Sequence, residues 1–161
     1  MENVSIPAEF EQVWARVNAL SVNELPDITE RELERFIMAE QRTIAAYQKI
    51  LQKQLKASDR QLLLQILADE RRHLKNLQME YFMETGDTCP VHIYENKETD
   101  GLMASLRRSV LGEKEASAAY TKAAEGRGEE LKSMYKAMAG DEERHSVMLK
   151  ELLRRCFRER D

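Results

Sequence analysis

Asp69-Glu70-Arg71-Arg72-His73 returns seventy-two residues later as Asp141-Glu142-Glu143-Arg144-His145, and both stretches read D-E-x-R-H. On an α-helix, Glu and His three residues apart lie on one face, so both side chains reach the same point beside it. Two of the three histidines in the 161-residue chain lie in this pattern. Each copy has a companion glutamate about thirty residues upstream, Glu40 before the first and Glu113 before the second. Four carboxylates and two imidazoles are the ligand set of a two-metal site inside a four-helix bundle.

Working outward, the flanking apolar residues follow helical periods. Residues 29–55 predict a first long helix with the stripe Leu33, Phe36, Ile37, Glu40, Ile44, Tyr47, Leu51 and Leu55. Thr29 with Glu32 forms a capping box at its start. A second helix is expected from the caps Ser58 and Asp59, with Leu63, Ile66, Leu67, Glu70, His73, Leu74, Leu77 and Tyr81 on one stripe. Residues 86–100 read as a loop of about fifteen residues, long enough to carry the chain back along the roughly 40 Å second helix. A third helix over 101–125 carries Leu102, Leu106, Val110, Glu113, Ser117, Tyr120 and Ala124. Gly126-Arg127-Gly128 breaks it. A fourth helix from about 129 to 158 carries Leu131, Met134, Met138, Glu142, His145, Leu149, Leu152 and Cys156. The Met residues read as core filler. The outcome is an all-α bundle of two antiparallel hairpins joined by a long crossover. The hairpins repeat one another: Ala45-Ala46-Tyr47 follows Glu40 as Ala118-Ala119-Tyr120 follows Glu113.

The domain division is 1–28 as a helical extension and connector, and 29–161 as the bundle. In the extension, Phe10, Val13, Trp14, Val17 and Leu20 form a stripe that either caps the bundle or meets a second subunit. A homodimer is expected.

Composition agrees with long amphipathic helices: 42% hydrophobic and 34% charged residues, with only six Gly and three Pro. A net charge of −4 and the lack of a basic stripe argue against nucleic acid or a membrane as partner. The first ten residues lack the pattern of a signal peptide, so the expected location is cytoplasmic. Cys89 and Cys156 stand alone, which disfavours a disulfide framework or a cysteine metal knuckle. His92, three residues after Cys89, reads as a loop residue.

Glutamates placed in an apolar seam demand compensation. An unpaired buried carboxylate costs several kcal/mol, and four together raise each other's pKa. By helical phase Arg71, Arg72, Lys114 and Arg144 point away from them. Two divalent cations balance four carboxylates, and the mixed O/N set suits iron or manganese, including a mixed pair, with zinc as an alternative occupant. Asp69 and Asp141 are candidates to receive the second imidazole N–H. Tyr47 and Tyr120 are candidates to bond carboxylates of the facing helix.

The order Glu40, Glu70-x-x-His73, crossover, Glu113, Glu142-x-x-His145 resembles the ferritin-like di-iron carboxylate superfamily. The near repeat and the two E-x6-Y spacings are most similar to its rubrerythrin branch. This resemblance implies Glu70 and Glu142 as bridging carboxylates, Glu40 and Glu113 as terminal or shifting ligands, and His73 and His145 one per metal. It further implies peroxide or dioxygen as the small oxidant. Two features depart from that branch. There are no cysteines for a rubredoxin-like iron domain, so electrons would come from a separate donor protein. Ala116 also stands where that branch carries a second glutamate, three residues after Glu113. Iron oxidation and storage, hydroxylation of an organic substrate, and a non-catalytic metal module are the other functions compatible with such a site.

Overall fold

The computed structural model describes residues 30–90 and 100–158. They form four helices: α1 (Glu30–Leu51), α2 (Ala57–Thr85), α3 (Leu102–Ala123) and α4 (Glu129–Arg158). No strand occurs among the described residues. The expected extension over 1–28, the Thr29 cap and His92 lie outside them.

α1 packs on α2 and α3 on α4, and the hairpins meet through α1 against α3 and α2 against α4. Going round the bundle the order is therefore α1, α2, α4, α3. α1 stops at Leu51, short of the expected Leu55, and the Arg60 guanidinium donates 2.8 Å to the Leu51 carbonyl. α2 begins at Ala57, with Lys56 as its cap and no side-chain capping bond. Asp59 does not cap the helix as the sequence suggested. Its carboxylate is buried one turn in and paired with Arg155 of α4 at 3.1 Å, which ties the ends of the two helices together. Gly86 ends α2 at φ 73°, in the left-handed region glycine adopts without strain, and its N–H returns to the Phe82 carbonyl.

The helices bury two apolar layers. One holds Leu33, Ile37, Leu77, Tyr120, Tyr135 and Met138, and the other Tyr47, Ile50, Leu63, Ile66, Leu106 and Leu149. In every helix the two layers fall on opposite sides of the glutamate, so the polar residues sit between them. Leu149→Ala, in a fully buried position of the second layer, is expected to cost about 2–5 kcal/mol in denaturant unfolding. An exposed residue such as Leu111 should cost under about 0.5 kcal/mol on the same change.

Candidate metal centre

Six polar side chains meet in the middle of the bundle, one from α1 (Glu40), two from α2 (Glu70, His73), one from α3 (Glu113) and two from α4 (Glu142, His145). None is more than 3% exposed. The seam positions of the sequence are therefore true core positions.

Their ligating atoms fall into two overlapping groups. Glu40, Glu70, His73 and Glu142 form one; Glu70, Glu113, Glu142 and His145 form the other; atoms within each lie within 4.8 Å of one another. Glu70 and Glu142 belong to both. His73 Nδ1 is 2.9 Å from Glu142, and His145 Nδ1 is 3.0 Å from Glu70, so each imidazole faces a carboxylate of the opposite hairpin.

The outward nitrogens fix the tautomer. His73 Nε2 lies 3.2 Å from Asp141 and His145 Nε2 3.1 Å from Asp69, a crossed arrangement between α2 and α4. The acceptor for each imidazole thus comes from the other repeat. A proton on Nε2 leaves a lone pair on Nδ1, directed at carboxylate oxygens that also carry lone pairs. Both Nδ1 atoms, Glu70 Oε1 and both oxygens of Glu142 are buried without a hydrogen-bond partner. Such an arrangement is stable only with something positive between the groups.

The ionisation of the metal-free centre says the same. Burial, reinforced by the surrounding carboxylates, pushes Glu70 up to about 11 and Glu113 up to about 8. Burial also raises Glu40. Burial acts against the charge on His145, but contacts with Glu113, Glu142 and Glu70 prevail and carry it to about 12. For Glu142, burial is outweighed by His145 and His73, which hold it at about 2. Protons therefore provide the neutralisation that divalent cations would provide, and the residues present fit a pair of such ions.

On the α1–α3 side a second crossed pair braces the carboxylates. The Tyr47 hydroxyl donates to Glu113, and the Tyr120 hydroxyl donates to Glu40. Over the α2–α4 side lies a ring of alternating charge. Arg72 bonds Asp69 at 2.7 Å and Asp141 at 2.8 Å; Arg144 bonds Asp141 at 2.7 Å and Asp69 at 2.9 Å. As their phase required, these arginines stay out of the core and are about half exposed. The sequence reading missed that they hold the aspartates behind both histidines. The signal was present: Arg follows Asp by three residues in both copies of D-E-x-R-H. Asp141→Ala frees His73 and leaves His145 braced. One of two metal-binding steps should then weaken by roughly 10–100-fold in a metal titration, the usual effect of losing such an outer partner. Uniform weakening of both steps would contradict the crossed geometry.

Tyr135 was also missed. It lies fully buried and stacks on Tyr120 with ring centroids 6.0 Å apart, and its hydroxyl has no hydrogen-bond partner. Ala116, partly buried against the first apolar layer, brings no fifth glutamate to the centre.

A four-helix bundle with a buried glutamate from every helix and a histidine from two of them has the ligand pattern of a class, the two-metal carboxylate proteins. The Rubrerythrin family model matches residues 105–161, which include Glu113, Glu142 and His145. With the buried cluster, that match supports the ferritin-like di-iron carboxylate superfamily for this chain. No curated protein and no solved structure gives a match. No helix among the described residues is long and apolar enough to cross a membrane.

Proposed function

We propose that this protein is a two-iron oxidoreductase that reduces peroxide, or dioxygen, at the centre of the bundle, with electrons from a separate donor protein. The observation that carries this reading is the sharing of Glu70 and Glu142 by two buried ligand groups, which would place two ions close enough to act on one small molecule. Glu40, Glu70, His73, Glu113, Glu142 and His145 would hold the ions. Bound ferrous iron supplies the electrons, one from each ion, for cleavage of an O–O bond.

The chain's own residues set the conditions for that chemistry. Asp141 and Asp69 orient His73 and His145 so that Nδ1 points inward as a neutral donor. Tyr120 and Tyr47 each hold one oxygen of Glu40 and Glu113 and so restrict how those carboxylates turn. The two apolar layers close the centre on either side along the bundle. Carboxylate and imidazole donors without thiolate suit iron or manganese better than a soft-metal site.

Overall, peroxide, two electrons and two protons give two waters. Protein loaded with ferrous iron without air and mixed with peroxide is expected to oxidise rapidly, consuming one peroxide for every two irons. An unchanged ferrous spectrum, with peroxide left over, would overturn the proposal.

A further inference from the structure

The repeat that matches Glu40 to Glu113 and Tyr47 to Tyr120 also matches Phe36 to Ser109. In the first apolar layer the Phe36 ring packs on Tyr120, with centroids 5.1 Å apart. In the second layer Ser109 has no ring to lay on Tyr47, and the α1–α3 side opens there into a cavity of about 180 Å³. Ala46 and Ile50 of α1 and Gly112 of α3 form walls, and Glu113 and Tyr47, both buried, mark its inner end. The two halves of the centre are thus unequal. A ring fills the space beside Glu40's tyrosine, whereas the matching space beside Glu113's tyrosine is open to a body of that size. Apolar cavities of about 150 Å³ take up benzene.

Charge does not choose the occupant. Arg108 is engaged by Asp100, and Arg42 and Lys49, which also line the cavity, have partners of their own. An ionised ligand would surrender its hydration to cations that are already engaged, for little return. A neutral molecule with an apolar body gains more, because Ala46, Ile50 and the Tyr47 ring offer apolar surface. Hydrogen peroxide, needing roughly twice the 30 Å³ share of one water, would leave most of the space unfilled. The inner end lies at Glu113, one of the six residues of the centre, so the end presented there is small and polar.

We propose that this cavity takes a neutral organic hydroperoxide, with an apolar body about the size of one aromatic ring and its O–O group against Glu113. The assignment names a substrate for the two-iron reading above and rests on that reading. The O–O bond breaks as two electrons and two protons enter. One oxygen leaves as water, and the other stays on the organic body as an alcohol. The electrons are those the two-iron reading already requires.

Cumene hydroperoxide is the substrate probe, and 2-phenyl-2-propanol, the inert alcohol it leaves, is the binding probe. Calorimetric titration of the alcohol into manganese-loaded and into chelator-treated protein is expected to show one site per chain in both. The oxidation rate of ferrous-loaded protein should half-saturate with cumene hydroperoxide at a concentration at least about tenfold lower than with hydrogen peroxide, because only the former buries a ring. Ser109→Phe gives α3 the ring that Phe36 gives α1. It should abolish alcohol binding and slow cumene hydroperoxide at least about tenfold more than hydrogen peroxide. Gly112→Leu should act in the same direction with less risk to the fold. A Cβ there meets nothing within 4 Å, and leucine suits a helix better than glycine. Metal content and melting temperature of both variants separate lost binding from lost structure. Three results would overturn the cavity assignment and leave the two-iron reading standing, provided that wild type consumes hydrogen peroxide: no alcohol binding, equal half-saturation by the two peroxides, or equal slowing of both in the variants. If neither peroxide were consumed, the two-iron reading would fall and the hydroperoxide assignment with it, whether or not the alcohol bound.

Discussion

Replacing Glu70 with Gln is expected to take the metal content from two ions per chain to near none. Glu70 serves both ligand groups, and glutamine has one oxygen and no charge, so the change would take the shared carboxylate from both groups at once. Glu142→Gln should do the same. Glu40→Gln and Glu113→Gln should each remove one ion, because each belongs to a single group. Glu143→Gln, one residue along and exposed, should change nothing. The counterpart is a gain for the metal-free fold. A neutral amide of nearly equal volume relieves the crowding of buried carboxylates, and chelator-treated Glu70→Gln should be more stable than chelator-treated wild type by roughly 1–4 kcal/mol. Elemental analysis and thermal melts of the five variants check both halves. If Glu70→Gln held its metal, or if Glu40→Gln lost as much as Glu70→Gln, the shared-carboxylate arrangement would be wrong.

The centre was legible in the sequence because helical phase is a strong constraint. Once Leu33 and Ile37 are on the core side, Glu40 has to be there too, and Leu77 does the same for Glu70 and His73. The family match reaches only the second hairpin, yet the repeat in the sequence let the first hairpin be read by the same rule. What phase cannot supply is pairing between helices. Asp69 and Asp141 were visible as acids four residues before a histidine, but their crossing to the opposite repeat depends on α2 and α4 being neighbours. Asp59 shows a related limit. Local propensity marks it as a cap, while a tertiary partner, Arg155, takes the carboxylate instead. A cavity of about 180 Å³ between α1 and α3, lined by Ala46, Ser109 and Gly112, was hidden for a third reason: sequence patterns register side chains that fill space more readily than those that leave it open.

Metal removal should make stability fall as pH rises, and metal should reverse that trend. Glu113 is near 4.5 in the unfolded chain and about 8 in the fold, and Glu70 is raised further, to about 11. Above pH 4.5 the folded chain thus keeps protons that the unfolded chain has released, so stability drops as pH climbs through 8. His145 moves from 6.5 to about 12, so its stabilising contribution is complete below 6.5 and is lost on the way up. Glu142 acts in the opposite sense: held at about 2, it contributes fully above 4.5 and loses that contribution as pH falls towards 2. The metal-free centre is thus best satisfied near pH 4.5. Each proton held only by the fold costs about 1.4 kcal/mol per pH unit above the pKa its group has in the unfolded chain. Even one such proton between pH 6 and 8 amounts to about 3 kcal/mol, or on the order of 5–10 °C in melting temperature for a chain of this length. Metal ions displace the same protons, so they bind more tightly as pH rises. The difference in melting temperature between metal-loaded and chelator-treated protein should therefore widen from pH 5.5 to pH 8. Glu70→Gln, unable to exchange a proton for metal at that position, should show a much smaller widening. A constant gap in the wild-type protein would mean that the buried carboxylates do not trade protons for metal, and the centre would have to be neutralised in some other way.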